Sequence, residues 1–400
     1  MKVALVSDCY PPRLGGIETQ VAGLARALSA AGHDVTVITA TPLGSERGDH
    51  TSVEDGVRVR RLTMRLPWDI PINPLARATL TRALPTFDVV HIHTGVVSPF
   101  ARMATNICAR HEIACVVTWH CMLDDQRLWY GWANPLDDWQ RAGIVLSAVS
   151  SSAARAVERC AREPVSVRIL PNFITAELWE TTRVSRAAQA GMLQAERARG
   201  RAAMPVPLPS SRPSRPLRAV TATRLAPRKR IAQLVECVVA AHEHGADIEL
   251  RVFGEGPLRT PLEKRTADAD YIHWCGRKSP DELADAYREA DVFVSPVVHE
   301  AFGIAALEAH ASGLPVIYRS GNGIADFCTD GVDGVMAGSD GVIARALFDL
   351  AVQPHKLAGL QHAAASQPTQ LTWDKGADTV AALYEDAFSI RIKTHCPHVP

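Results

Sequence analysis

No Cys-x-x-Cys pair occurs in this 400-residue chain, although it holds nine cysteines. They stand apart, at Cys9, Cys108, Cys115, Cys121, Cys160, Cys237, Cys275, Cys328 and Cys396. The odd number and the spacing speak against a zinc site or a disulfide framework and fit a reducing compartment. Long hydrophobic runs are missing too. No apolar stretch is long enough to cross a bilayer, and the opening Met1–Asp8 has too short an apolar part for a signal peptide. Neither sign of charge is in excess, with 43 Lys plus Arg against 43 Asp plus Glu, which argues against a dedicated nucleic-acid binder. The first strand-like run is not followed by a GxGxxG fingerprint, which weakens a dehydrogenase reading. No short-period repeat is present.

What remains is ordinary globular material. Hydrophobic residues make up 47% and charged residues 22%. At 400 residues the chain exceeds the size at which one core usually stops growing, so two domains are expected. Short apolar runs recur at Val3–Val6, Val35–Thr39, Val57–Leu62, Val89–His93, Ala114–Trp119 and Ile144–Val149. A second set lies at Leu217–Thr223, Ile248–Phe253, Tyr271–Trp274, Val292–Ser295, Pro315–Tyr318 and Gly334–Ala337. Several are almost continuously aliphatic, as strands covered on both faces of a parallel sheet must be. Helical spacing separates them; Val21, Leu24, Ala25 and Leu28 share a face, and Gly32 ends that pattern. Strand–helix alternation of this kind reads as doubly wound α/β.

Between the two sets, from about Thr181 to Pro216, the chain turns to Arg, Ala, Pro and Ser. This segment reads as a linker, helical in its first part. The expected organisation is a Rossmann-like domain over 1–175, a linker or insertion over 176–216, and a second Rossmann-like domain over 217–375. A helix and tail over 376–400 are left free to pack back on the first domain.

In open α/β sheets, ligands bind beyond the carboxyl ends of the strands. The unusual residues of this sequence gather there. Gly15 and Gly16 precede the first helix, where backbone N–H groups attract anions, although a plain tight turn uses the same residues. His120 closes the run Val-Val-Thr-Trp-His. Arg224 and Lys229 lie in Thr-Arg-Leu-Ala-Pro-Arg-Lys-Arg, cations suited to a diphosphate, or simply a solvated helix start. Gly254-Glu255-Gly256-Pro257 follows another strand.

The segment His299–Glu308 says most. Gly303 is the expected helix start and Gly313 the stop. Glu300 then stands in the loop before the helix, and Glu308 on the helix among Ala305, Ala306, Leu307, Ala309 and Ala311. Two carboxylates would address different parts of one ligand, with helix-start N–H groups between them. His91 and His93 alternate on one strand, but no third ligand follows at a metal-binding spacing, and Asp124-Asp125 reads as an acidic turn.

Together these motifs resemble the retaining glycosyltransferases of the GT-B fold, and among them family 4. The resemblance spans nearly the whole chain outside 181–216. It rests on PPRLGGIE, VVTWH, LPNFI, TRLAPRKR, FGEGP and HEAFGIAALEAHASGLPVI, the last being that family's Glu-x7-Glu element at Glu300 and Glu308. It implies two facing Rossmann-like domains with the active site in the cleft between them, the first on the acceptor side. It implies transfer of a hexose-type sugar, with retention, from a UDP- or GDP-linked donor to a hydroxyl of a glycan, lipid or small molecule. Neither a metal nor a cofactor is implied. By the same resemblance Gly15 and Gly16 lie near the donor phosphates and the acceptor, and His120 near the transferred sugar. Arg224 and Lys229 stabilise the diphosphate, and Gly254, Glu255 and Gly256 border the base. Glu300 contacts the donor sugar, Phe302 and Gly303 open the phosphate-binding helix, and Glu308 bonds the ribose hydroxyls.

One departure stands out. The family's Gly-Gly-x-Pro-Glu run is here Gly321-Asn-Gly-Ile-Ala-Asp326, which leaves the donor sugar open. Two other readings are a GT-B protein that binds a nucleotide sugar without transferring it, and a nucleotide-sugar epimerase. The expected location is cytoplasmic. Arg58, Arg60, Arg61 and Arg65 before Leu66-Pro67-Trp68 keep a peripheral membrane contact open, against the plainer reading of a strand with one solvated face.

Overall fold

The computed structural model describes residues 1–45, 47–64, 71–123, 130–131, 134–184, 186 and 215–395, with side chains as far as residue 391. Arg65, the Leu66–Trp68 stretch, Asp124, Asp125, Cys396 and most of the 181–216 linker lie outside the described residues. The chain divides into two compact units. Unit 1 is Met1–Ile174 with Leu371–Pro400, and unit 2 is Thr175–Gln370.

Unit 1 opens with strands β1 (Lys2–Ser7), β2 (Asp34–Thr39), β3 (Gly48–Glu54), β4 (Val57–Thr63), β5 (Val89–Thr94), β6 (Cys115–Trp119), β7 (Val145–Ala148) and β8 (Val167–Ile169). Its helices are α1 (Gly16–Ala30), α2 (Arg77–Ala83), α3 (Pro99–Arg110), α4 (Leu136–Arg141) and α5 (Ser151–Glu158). The sheet order is β3-β4-β2-β1-β5-β6-β7-β8. All its pairs are parallel except β3 with β4. The inner strands are buried on both faces, which is why they read as largely apolar runs with little polar alternation.

Two strands escape that reading. β3, Gly-Asp-His-Thr-Ser-Val-Glu, is mostly exposed and antiparallel at the sheet edge, and edge strands carry polar residues. β8 is only three residues long.

Unit 2 holds β9 (Leu217–Ala222), β10 (Ile248–Phe253), β11 (Ile272–Gly276), β12 (Val292–Ser295), β13 (Val316–Arg319) and β14 (Gly334–Ala337). Helices α6 (Ile231–Glu243), α7 (Arg259–Arg265), α8 (Pro280–Glu289), α9 (Ile304–Ala311), α10 (Asp340–Val352) and α11 (Pro354–Ser366) surround them. The six strands form a wholly parallel sheet in the order β11-β10-β9-β12-β13-β14. Its core packs Leu234, Val235 and Val238 of α6 against Leu250, Val292 and Ile317 of the sheet, with Leu347 and Leu350 of α10. Local signals set helix starts, as in the Ser279–Glu282 capping box of α8.

The last helix, α12 (Trp373–His395), belongs to unit 1. Ile174 bridges Thr372, and Val380, Leu383, Tyr384 and Ala387 join the unit 1 core. The chain thus leaves unit 1 after Ile174 and returns at Leu371. The eight described cysteines are all free. Among the described residues, no helix is long and apolar enough to cross a membrane.

Candidate functional site

In each sheet the strand order reverses once in the interior, at β1/β5 in unit 1 and at β9/β12 in unit 2. Such switch points open a crevice beyond the carboxyl ends of the two strands. The residues singled out in the sequence flank these two points.

In unit 2, β9 and β12 lie side by side, with Phe293 opposite Val220. The loop after β9 carries Arg224 and Lys229, and the loop after β12 carries Glu300. Lys229 Nζ donates to Glu300 Oε2 at 2.6 Å. Both side chains keep some exposure, 21% and 17%. Arg224 is exposed. Arg230, next to Lys229, pairs with Asp340.

Gly303 caps α9 with φ +89°. A side chain there would meet Ile324 Cγ1 at 2.8 Å, so glycine is required both by the left-handed backbone and by space. The first N–H groups of a helix have no intrahelical partner, and no side chain caps those of α9. Phe302 is buried against Phe327, at 5.4 Å between ring centroids, and serves as packing under the helix start.

Glu308 sits one turn into α9. Burial pushes its carboxyl up to about 8. Nearby, the Tyr287 hydroxyl is buried without a hydrogen-bond partner, and the Glu308 charge adds to the burial that raises it. Behind the helix, His310 Nε2 meets Asp333 Oδ2 at 3.0 Å, and Asp333 also accepts the Thr329 N–H at 2.6 Å. Cys328 completes a buried group whose ligand atoms lie within 4.8 Å of one another. These contacts tie α9 to the loop before β14.

Gly254 and Gly256 knit two loops together. Gly254 has φ +127°, and an added Cβ would fall 1.9 Å from the Thr223 carbonyl oxygen. Leu225 N–H donates to the Glu255 carbonyl at 2.9 Å, and Leu258 N–H to the Leu225 carbonyl at 3.1 Å. The Glu255 side chain is held by Arg259 at 2.6 Å. The loop of Gly254–Gly256 is thereby fastened beside the one that presents Arg224.

The Gly321–Asp326 segment closes over Glu300. Gly323 N–H donates to the Glu300 carbonyl at 2.9 Å, and Asn322 Nδ2 to the Val297 carbonyl at 3.2 Å. Asn322 is fully buried and was not singled out in the sequence; its place between two glycines was the available signal.

In unit 1, His93 and His120 end the neighbouring strands β5 and β6. His93 Nδ1 and His120 Nε2 are 3.0 Å apart. Desolvation lowers both rings and holds His120 near 4, against a raising contribution from a hydrogen bond to Asn172. His91 stacks on His93 at 4.2 Å and bonds Thr118 Oγ1 and the Tyr384 hydroxyl of α12. Burial lowers His91 to about 3.

Gly15 and Gly16 open α1, with the buried Glu18 carboxylate next to Gly15. Asp8, missed in the sequence, is the link across the switch point. It ends β1 and accepts the Phe100 and Ala101 N–H groups of α3 at 3.0 and 2.9 Å, while burial pushes it to about 7. A lone Asp at a strand end was its only signal.

The basic strand β4 is neutralised. Arg60 makes a two-bond contact with Asp49 at 2.8 and 2.7 Å, Arg58 faces Asp34 at 3.5 Å, and Arg61 is buried against Glu54. These three arginines are structural partners of carboxylates.

The family comparisons agree with this arrangement. The model described as Glycosyltransferase Family 4 matches residues 14–178, and that described as Glycosyl transferases group 1 matches residues 216–352. The chain is 23% identical to an alpha-monoglucosyldiacylglycerol synthase of Acholeplasma laidlawii, over 96% of this chain and 97% of that protein. It is 28% identical to a GDP-mannose-dependent alpha-mannosyltransferase of Mycolicibacterium smegmatis, over 85% of each. Its fold resembles that of Anabaena HepE in complex with UDP-glucose, with a TM-score of 0.68 at 14% identity, covering 96% of this chain and 99% of that one. The chain is a GT-B-fold glycosyltransferase related to the family 4 and group 1 glycosyltransferases.

Proposed function

We propose that this glycosyltransferase takes a hexose-type sugar from a UDP- or GDP-linked donor and passes it, with retention, to a hydroxyl of a glycan, lipid or small-molecule acceptor. The observation that carries the reading is the Lys229–Glu300 pair beyond β9 and β12, with the uncapped start of α9 next to it and Glu308 one turn further. Sugar hydroxyls need strong acceptors, and a departing diphosphate needs cations and N–H donors. This crevice of unit 2 offers both.

Lys229 and Arg224 act on the diphosphate. As the glycosidic bond to the donor breaks, negative charge grows on the leaving oxygen, and fixed cations there lower the barrier. Lys229 is held by Glu300, so the protein itself sets its position. Glu300 takes sugar hydroxyls, and the α9 N–H groups behind Phe302 and Gly303 take phosphate oxygens. Glu308 takes the ribose hydroxyls, and Gly254, Glu255 and Gly256 border the base. In unit 1, His120 stands beside the transferred sugar and is neutral at pH 7 through its lowered pKa, so it offers a hydrogen bond rather than a charge. Gly15 and Gly16 lie near the phosphates and the acceptor.

The names of the relatives support both donor classes, since one is GDP-mannose-dependent and HepE was solved with UDP-glucose. The altered Gly321–Asp326 segment, bonded to the Glu300 backbone, is where the choice of sugar is made. The domain roles follow, with the acceptor on 1–175 and the donor on 217–375. The reaction takes place in the cytoplasm, with lipid acceptors met at the membrane surface.

A thermal-shift panel of UDP-, GDP- and ADP-sugars tests the reading. A true donor raises the unfolding midpoint by mass action, about 2.7 kcal/mol at a hundredfold excess over Kd. No shift with any nucleotide sugar, and none with UDP or GDP, would overturn it.

A further inference from the structure

A cavity of about 340 Å³ opens at the carboxyl end of β5, wholly within unit 1. Its described lining holds three guanidinium groups, Arg77, Arg102 and Arg110, and no carboxylate. All three arginines are exposed, and among the described residues none of their guanidinium groups has an ion pair or a hydrogen bond. That is unlike Arg58, Arg60 and Arg61 of the same unit, each of which meets an acid.

The placement is regular. Arg102, Asn106 and Arg110 follow at four-residue steps along α3 and so share one face. Arg77 opens α2, which packs beside α3. Met103 and Ile107 give the same cavity an apolar wall. At its other end stands Thr94, whose carbonyl accepts the His120 N–H at 3.0 Å. The cavity therefore begins one backbone hydrogen bond from His120, the histidine that the proposed function sets beside the transferred sugar.

Like charges gathered without a counter-charge repel one another, and the arrangement becomes favourable only when an anion fills it. Guanidinium forks match phosphate oxygens two at a time. We propose that this cavity is the acceptor subsite and that it takes a phosphate-bearing acceptor. Arg77, Arg102 and Arg110 hold the phosphate, and Met103 and Ile107 lie along the carbon part. The term acceptor rests on the transferase reading above; the binding of a phosphate does not.

The test uses the full chain and the double variant R102A/R110A, whose substitutions fall on an exposed helix face. Binding is measured by calorimetry for inorganic phosphate, glucose 6-phosphate and glucose, and by sedimentation with phosphatidylglycerol and phosphatidylcholine vesicles. Stabilisation by UDP and GDP is followed in parallel. The expected result is that at least one phosphate probe binds the native chain about tenfold or more tightly than the variant, as for a lost charged hydrogen bond. That preference shrinks with added salt, and glucose and phosphatidylcholine show none. A preference for glucose 6-phosphate identifies a soluble acceptor, and one for phosphatidylglycerol a lipid headgroup.

Equal binding of every phosphate probe by native chain and variant would overturn the proposal. So would loss of nucleotide stabilisation in R102A/R110A, because the arginines would then serve the donor or the fold. Absence of nucleotide stabilisation in the native chain strikes the donor reading instead and leaves the anion measurement standing.

Discussion

Lys229 Nζ and Glu300 Oε2 stand 2.6 Å apart across 71 positions of sequence. The contact exists because β9 and β12 are neighbours in the sheet, so the loops leaving them emerge side by side. The pair is only partly exposed, and its worth to stability is on the order of 1 kcal/mol. In the function proposed above its chemistry is worth more, since Glu300 takes sugar hydroxyls there and Lys229 the phosphate.

Glu300→Ala and Lys229→Ala are each expected to cut sugar transfer by roughly 10²–10³-fold, the range seen when a single charge-stabilising group is lost. Unfolding free energies should change by on the order of 1 kcal/mol. Turnover and thermal unfolding measured on the same preparations decide the matter. Unchanged turnover in either variant would remove that residue from the donor site.

Glu308 makes stability depend on pH. Burial raises its carboxyl from an ordinary value of 4.5 to about 8. Between those values the folded chain still holds a proton that the unfolded chain has released. Its contribution to stability is therefore lost as pH rises from about 4.5 to about 8. Glu308→Gln keeps the shape without the charge, so its stability relative to the native chain should grow through that window. The gain should approach on the order of 5 kcal/mol at most and then level off. Denaturant midpoints of both proteins at several pH values provide the check, and a difference independent of pH would contradict it.

Gly254 is demanded by geometry. With φ +127° and the Thr223 carbonyl 1.9 Å from any added Cβ, Gly254→Ala should cost about 3 kcal/mol or more and pull the Arg224 loop out of place. Gly338→Ala, at an exposed position with open space around it, should change stability by about 0.5 kcal/mol or less. Equal midpoints for the two variants would mean that the loop after β10 rearranges freely.

Much of the fold could be read from residue pattern. Val292–Ser295 coincides with a strand because both of its faces are buried, and Ile248–Phe253 because its apolar residues alternate with the half-buried Glu249 and Arg251. β3 was invisible for the opposite reason, as it lies exposed at an edge and is built of Gly, Asp, His, Thr and Ser. The two-carboxylate element was legible because its parts are local. Gly303 starts the helix, and the spacing from Glu300 to Glu308 alone puts one carboxylate before the helix and the other on it.

The sequence by itself therefore determined the strand–helix alternation, the loops that carry charge and glycine, and the Glu-x7-Glu spacing, all of which depend on neighbours a few positions apart. Tertiary structure decided which loops meet. Strand order brought Lys229 to Glu300 and His93 to His120, and sent Asp8 to cap α3. It also set a carboxylate against each of Arg58, Arg60 and Arg61, while Arg77, Arg102 and Arg110 share a cavity whose described lining holds none. The physical reason is that sheet pairing joins residues tens of positions apart, and burial and counter-charge are properties of that pairing, not of the local run.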